Sequence, residues 1–315
     1  MPQIEIVVVS WNTLALTRDC LESLFADLGR SELDYRVWVV DNCSTDDSVS
    51  MIRAEFPQVV LIENQENVGF ARANNQVLRQ ATAPLQLLLN SDTVIHQGAI
   101  KRMEEEMSAK PGVAAVGPKL VYPDGLVQRS FTRLPSAVGE LKYCLAYHFF
   151  PLNRLFHMLF GFSNRAWEDG ALTREVEVLS AACLMIRKDV LDKVGVLAED
   201  YFLFSEENDL FCRMKQAGYR SLYLPSAVVT HVVGASRRKR GGVDSQVNFL
   251  KSRMIYFRRY HESSFSLVKL TYRFFLGWSY LFARVSMLLK GNKDSEYVVL
   301  YRQLLETLTQ TKVAH

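Results

Sequence analysis

Four places in this chain gather side chains that can do chemistry. The first is Leu85-Gln86-Leu87-Leu88-Leu89-Asn90-Ser91-Asp92-Thr93, an apolar run that ends in a carboxylate. Beside an Asn and a Ser, Asp92 is a poor nucleophile and a poor cage for a metal. It is a reasonable partial ligand for a divalent cation already held by phosphates. An Asx or Ser turn leading into a helix explains the same residues without any chemistry. The second place is Glu206-Glu207-Asn208-Asp209, after the aromatic run Tyr201-Phe202-Leu203-Phe204. The helix dipole alone accounts for acids at a helix start. Yet one of the three can act as a general base while its neighbours bond backbone or an Arg. The third is His231, closing Pro225-Ser226-Ala227-Val228-Val229-Thr230-His231. A lone His at a strand end is more often structural than a ligand. With Asp92 needing a partner on a metal, it becomes a second ligand or a phosphate donor. The fourth is spread over three segments: Ser10-Trp11-Asn12, Asp41-Asn42-Cys43-Ser44-Thr45-Asp46 and Asn67-Val68-Gly69-Phe70-Ala71-Arg72-Ala73-Asn74-Asn75. Asp41 can accept from a base edge or a ribose hydroxyl, and Trp11 can pack on a base. Gly69 allows a tight turn into a helix. An Arg near such a helix start, Arg72, suits a diphosphate. Helix caps and an ordinary surface helix explain these segments too.

These side chains need elements to hold them. Strands are expected near 3–9, 36–41, 59–63, 85–90 and 113–117, with helices near 14–28, 46–55, 69–82 and 97–109. That alternation predicts a parallel sheet covered by helices. Asp92 then lies just beyond a strand's carboxyl end, where open α/β sheets bind ligands. Tyr122-Pro123-Asp124-Gly125 reads as a turn. Farther on, strands are expected at Val176–Leu179 and Cys183–Ile186, helices near 188–194 and 206–217, and a final strand and turn over 221–232. No GxGxxG and no GxxxxGK[ST] occurs, which removes the main support for dinucleotide and P-loop readings.

The net charge of +3 hides an asymmetry. Residues 1–236 carry a net of −7 and residues 237–315 a net of +10, so an acidic body joins a basic tail. Five cysteines, Cys20, Cys43, Cys144, Cys183 and Cys212, show no CxxC or zinc-ligand spacing. Free thiols in a reducing compartment are expected, and Ile4–Val9 reads as a strand rather than a leader. A cytoplasmic protein follows.

Taken in order, the segments ending in Asn12, Asp46, Phe70, Asp92, Leu210 and His231 resemble a family-2 glycosyltransferase of the GT-A fold. The rhamnosyltransferase-like branch fits best, because its pattern includes NxGFAxxxN and EDxDL segments. Pro123-Asp124-Gly125, Gln128 and Arg133-Leu134-Pro135 also resemble that branch. The resemblance covers about residues 3–260, and it implies a mostly parallel central sheet flanked by helices. It implies a catalytic domain over 1–245, with a nucleotide-binding half (1–120) and an acceptor-binding half (121–245), and a helical basic-aromatic tail over 246–315. It also implies inverting transfer of a sugar from a nucleoside diphosphate to a saccharide acceptor. Mg²⁺ or Mn²⁺ would be held by Asp92 and His231. Glu207 would be the base, beside Glu206 and with Asp209 in reserve. Donor contacts would come from Ser10, Trp11, Asn12, Asp41, Asn42, Asn67, Gly69, Phe70, Arg72, Asn74 and Asn90. Two positions depart from the branch: Asn90-Ser91-Asp92 replaces Asn-Pro-Asp, and Glu206-Glu207 replaces Glu-Asp. A dTDP-rhamnose or a UDP-hexose donor is expected. The rivals are a glycan-binding scaffold with a decayed transferase fold and a nucleotidyltransferase, which would release pyrophosphate.

In the tail, Phe274–Leu289 is apolar and aromatic but broken by Arg284. With Lys269, Arg273, Lys290 and Lys293 around it, it suits an interfacial helix on an anionic bilayer at the inner face of the cell membrane. A helix packed on the catalytic domain fits as well. The aromatic segment 143–162 could face lipid or cover an acceptor, and a lipid-linked acceptor would explain both segments. Nucleic-acid binding through Arg237-Arg238-Lys239-Arg240 ranks lowest, because no nucleic-acid module surrounds that run.

Overall fold

The structure, a computed structural model, describes residues 2–160, 172–232, 242–289 and 296–310. In chain order the first elements are β1 (Ile4–Ser10), α1 (Leu14–Leu28), β2 (Tyr35–Asp41), α2 (Ser48–Glu55), β3 (Val60–Glu63) and α3 (Phe70–Leu78). β4 (Leu85–Asn90), β5 (Thr93–Ile95), α4 (Ala99–Ala109), β6 (Val113–Val121) and β7 (Phe131–Thr132) follow. Next come α5 (Ala137–His148), α6 (Asn153–Leu159), β8 (Arg174–Val176), β9 (Val178–Leu179) and β10 (Cys183–Arg187). The rest are α7 (Lys188–Val194), α8 (Glu206–Gln216), β11 (Arg220–His231), α9 (Gly242–Tyr260), α10 (Glu262–Leu289) and α11 (Glu296–Gln310).

The chain forms two compact units. The first holds one large sheet in the order β3-β2-β1-β4-β10-β6-β11-β5, with β8 also on β11. β3, β2, β1 and β4 run parallel, as expected. Their runs are apolar on both faces because both faces are covered. Ile6, Val8, Val39 and Leu87 pack on Leu21 and Leu24 of α1 and Met103 of α4. Val7, Val40 and Leu88 point the other way, onto Val77 of α3 and Leu210 and Phe211 of α8. Each such side chain contributes about 1.5–3 kcal/mol when fully buried.

Two features were not legible. β10 enters antiparallel between β4 and β6, pairing Cys183 with Leu89 and Met185 with Val116. The expected division at 120/121 therefore does not separate two halves, since β6 runs through it and one sheet joins both. β5 is only three residues long and pairs antiparallel with the end of β11.

The second unit contains α5, α6 and the three tail helices. The boundary expected at 245 falls inside α9, and residues 135–160 belong with the tail. Buried polar groups explain the grouping. Glu140 of α5 accepts from the Tyr272 hydroxyl at 2.5 Å and lies 3.3 Å from Arg253 Nε. Ser279 donates to the His148 carbonyl at 2.5 Å. Arg237-Arg238-Lys239-Arg240, Lys290, Lys293 and the end of segment 143–162 lie outside the described residues.

Candidate active site

Strand register builds the site. β11 pairs with β5 so that His231 faces Thr93, the residue after Asp92. The Val232 amide donates to the Asp92 carbonyl at 2.8 Å. This brings His231 Nε2 to 3.3 Å from Asp92 Oδ1, with both side chains mostly buried. The two residues singled out as metal ligands are thus neighbours, although 139 positions separate them in the chain.

Gln128 completes the group and was not among the expected site residues. β6 ends at Val121, next to Thr230 of β11. The turn expected at 122–125 forms, with the Gly125 amide donating to the Tyr122 carbonyl at 2.9 Å. It returns the chain so that the Gln128 amide donates to the Leu120 carbonyl at 2.8 Å. Gln128 Nε2 then donates to the His231 carbonyl at 3.3 Å, and Oε1 lies 2.7 Å from His231 Nδ1. Only an N–H at Nδ1 satisfies Oε1. The network therefore assigns a proton to Nδ1. Nε2 faces a carboxylate oxygen. A second ring proton or a cation between the two satisfies the pair. The donor set fits a divalent cation. Among the described residues no three His, Cys, Asp or Glu side chains cluster as a cage, so other ligands would have to complete the shell.

Parallel register puts the ends of β1 and β2 beside the end of β4: Ser10 faces Asp41, and Val9 faces Asn90. Asp41 is buried; Oδ2 accepts from the Ser44 amide at 2.8 Å. Its Oδ1 is buried and meets no donor among the described residues. A buried acceptor left open is costly, of order 1–3 kcal/mol, unless a ligand supplies the donor.

Several expected donor-binding residues hold loops. Ser10 is fully buried in a hydroxyl cluster with Thr13, Thr17 and, through Thr13, Ser91. Ser91, where the branch has Pro, is therefore tied to α1's start by a hydrogen bond. Asn12 accepts from the Thr45 amide at 2.7 Å and fixes the loop after β2. Asn42 donates to Asn67 Oδ1 and accepts from the Val68 amide, so it is saturated within the 64–69 loop. Asn74 donates back to the Phe70 carbonyl. Arg72 is exposed and lies 3.7 Å from Glu199, which also holds Arg79 and Asn75. The structure does not bring Arg72 to Asp92. Trp11 is half-buried beside Ser10, and Asn90 ends β4.

Gly69 matters for packing. Its φ is +86°, and a Cβ there would meet the Phe202 carbonyl oxygen at 2.6 Å. The Phe70 amide donates to the same oxygen at 3.0 Å. This contact anchors the segment that enters α8 to the end of β2, through Gly69 and Asn42. Phe204 and Ser205 both adopt positive φ, 70° and 66°, just before the carboxylates. Such backbone is costly for non-glycine residues and gathers at functional sites.

The three acids of α8 have different surroundings. Asp209 is fully buried and paired with Arg213 at 2.8 Å, whose guanidinium also donates to the carbonyls of Val194, Gly195 and Val196. That makes Asp209 a brace for the 194–196 loop, more deeply buried than the expected base Glu207. Glu206 is buried, and Oε2 has no donor among the described residues. Burial, and then the charge on Glu207, push its carboxyl well above the usual carboxylate range. Glu207 is half-buried, the most open of the three.

A helix-covered, mostly parallel sheet with an Asp–His pair at its carboxyl edge is the frame of a GT-A transferase. The chain belongs to glycosyl transferase family 2, whose profile matches residues 5–195, and it is a glycosyltransferase. It is 30% identical over 226 residues to the N-acetylglucosaminyl-diphospho-decaprenol L-rhamnosyltransferase of Mycobacterium tuberculosis, covering 67% of this chain and 71% of that one. It is 24% identical to the O-antigen biosynthesis protein RfbC of Myxococcus xanthus, over 75% of this chain and 18% of that one. Among solved structures it resembles a mannosyltransferase of Pyrobaculum calidifontis in complex with GDP-Man and Mn²⁺. That match has a TM-score of 0.57 at 16% identity, covering 98% of this chain and 86% of that one. GalNAc-T7 with UDP, GalNAc and Mn²⁺ matches at a TM-score of 0.55 and 11% identity, over 74% and 43% of the two chains. Both likenesses concern the fold.

Proposed function

We propose that the chain moves a rhamnosyl group from a dTDP donor onto a lipid-linked saccharide during synthesis of a bacterial surface polysaccharide. The observation that supports the nucleoside-diphosphate donor is the Asp92–His231 pair, 3.3 Å apart at the carboxyl edge of the sheet, a donor set that fits a cation. The rhamnosyltransferase relative supports the sugar and the polyprenyl-linked acceptor. Asp92 and His231 would hold Mg²⁺ or Mn²⁺, which supplies charge neutralisation for the departing diphosphate. The open Asp41 oxygen would accept from the base or ribose. Glu207 takes the proton of an acceptor hydroxyl. That oxygen bonds to the anomeric carbon from the face opposite the diphosphate. The carbon–oxygen bond to the diphosphate breaks, and its electron pair leaves with the nucleotide. One base suffices, and the sugar inverts.

The test incubates the purified chain with dTDP-rhamnose, UDP-hexose or UDP-N-acetylglucosamine, a polyprenyl-diphosphate sugar and Mn²⁺, and identifies the products. Transfer with release of dTDP is expected. Glu207→Gln should bind donor normally and lose about 10²–10⁴-fold in transfer. Release of pyrophosphate would make the protein a nucleotidyltransferase. Donor binding without turnover of any sugar would make it a binding module.

A further inference from the structure

We infer that the outward face of α10 is a docking surface for an anionic lipid bilayer, on which the helix lies flat. The inference stands on the surface of the second unit and holds whichever sugar is transferred.

α10 has three faces. One packs inward through Phe265, Val268, Tyr272, Phe275, Leu276 and Ser279. A second is apolar and open to solvent. Nine large apolar side chains between Leu267 and Leu289 are exposed, from 40% at Trp278 to 83% at Leu289. Leu267, Leu270, Phe274, Trp278, Leu281 and Val285 follow one another at three or four residues and form a straight stripe about 27 Å long. The third face, at 100° per residue, carries Lys269, Arg273 and Arg284 beside that stripe, and the helix has a single acid, Glu262.

The apolar face continues beyond the helix. Trp278 Nε1 donates to the Phe150 carbonyl at 2.6 Å, and the Phe150 ring stacks on Phe282 at 5.7 Å. The segment that follows exposes Leu152, Leu155, Met158 and Leu159. Contiguous apolar surface on this scale marks an interaction site.

Two observations select the occupant. Cations along one edge of an apolar stripe complement anionic headgroups while their stems reach along it. A second copy of the chain fits less well. The left-handed seam of paired helices repeats every 3.5 residues. The exposed Leu267, Phe274, Trp278, Leu281, Val285 and Leu288 fit that repeat, but in a second copy Lys269, Arg273 and Arg284 would meet like charges, with Glu262 the helix's single acid. Among the described residues no helix is long and apolar enough to cross a membrane, so the helix lies on the bilayer.

Deleting the tail would also strip α5 of its partners, so point substitutions at exposed positions give the cleaner test. The full chain, Phe274→Glu/Leu281→Glu and Arg273→Gln/Arg284→Gln are floated with vesicles of phosphatidylcholine and phosphatidylglycerol, and of phosphatidylcholine alone. Thermal unfolding checks that each is folded. The full chain should float with anionic vesicles and release in high salt. The glutamate pair should lose binding at least about tenfold, and the glutamine pair about fivefold per cation, on anionic vesicles alone. Failure of the full chain to float, or flotation unchanged in both variants, would overturn the inference. So would a dimer in sedimentation that only the glutamate pair dissociates. The readout is lipid binding, so a wrong sugar assignment leaves it unaffected.

Discussion

Because the Gln128 carboxamide donates to the His231 carbonyl, its oxygen must accept from Nδ1, and Nε2 is left facing Asp92. Groups that orient a ligand in this way often matter almost as much as the ligand. On the proposed reading, Gln128→Leu should keep the fold and weaken Mn²⁺ binding in the presence of dTDP by about 10–100-fold, read by calorimetry. Unchanged affinity would reduce Gln128 to a loop contact. Glu206 gives a second test. Its folded pKa lies above its unfolded value, so the folded chain binds that proton more tightly. Its stabilising effect is complete below the unfolded carboxylate pKa and is lost as pH rises toward the folded value. Unfolding free energy, and with it melting temperature, should therefore fall as pH rises above the usual Glu range, with a slope in free energy of at most about 1.4 kcal/mol per pH unit from this group. Glu206→Gln should flatten that fall; an unaltered pH profile would place the carboxyl in a wetter setting than the one described.

Elements decide which sequence signals could be read. The strands β1, β2 and β4 were legible because each is a short apolar run buried on both faces, and Asp92 was legible because it closes one of them. The pairing of Asp92 with His231 was visible only as a shared need for a partner. It depends on β5, three residues with no pattern of their own, and on an antiparallel register no local feature encodes. Gln128 stood inside a recognised segment, but its role arises from where the 122–125 turn returns the chain. The loop roles of Ser10, Asn42 and Asn74 were hidden for a related reason: a polar side chain near a sheet edge serves a ligand or a backbone equally well, and composition does not distinguish them. Gly69 connects these levels. Gly69→Ala forces a Cβ onto the Phe202 carbonyl and into a positive φ, at a cost of about 1–3 kcal/mol. Thermal unfolding should show the loss, and transfer should fall further than stability does, because the displaced segment leads into Glu206 and Glu207.

For the molecule as a whole, the sequence reading drew one boundary and the structure draws another. Residues 135–160 fold with the tail because Glu140 and His148 find their partners at Tyr272, Arg253 and Ser279, more than a hundred residues away. Nothing local announces a partner at that distance. A chain ending at residue 241 should therefore do worse than lose a tail. Glu140 would be left without Tyr272 and Arg253, and the apolar inner side of α5 would be uncovered. Size-exclusion chromatography should find it aggregated, whereas a well-behaved monomer would show that the first unit tolerates the loss.

The brevity of β5 has one more effect, on what the gene can tolerate. A strand alternates its side chains between two faces. One residue inserted between Asp92 and Thr93 would leave the central strands untouched, since β5 ends the sheet order. It would nevertheless turn Asp92 away from His231. At this position a change in length should cost as much as losing the carboxylate itself.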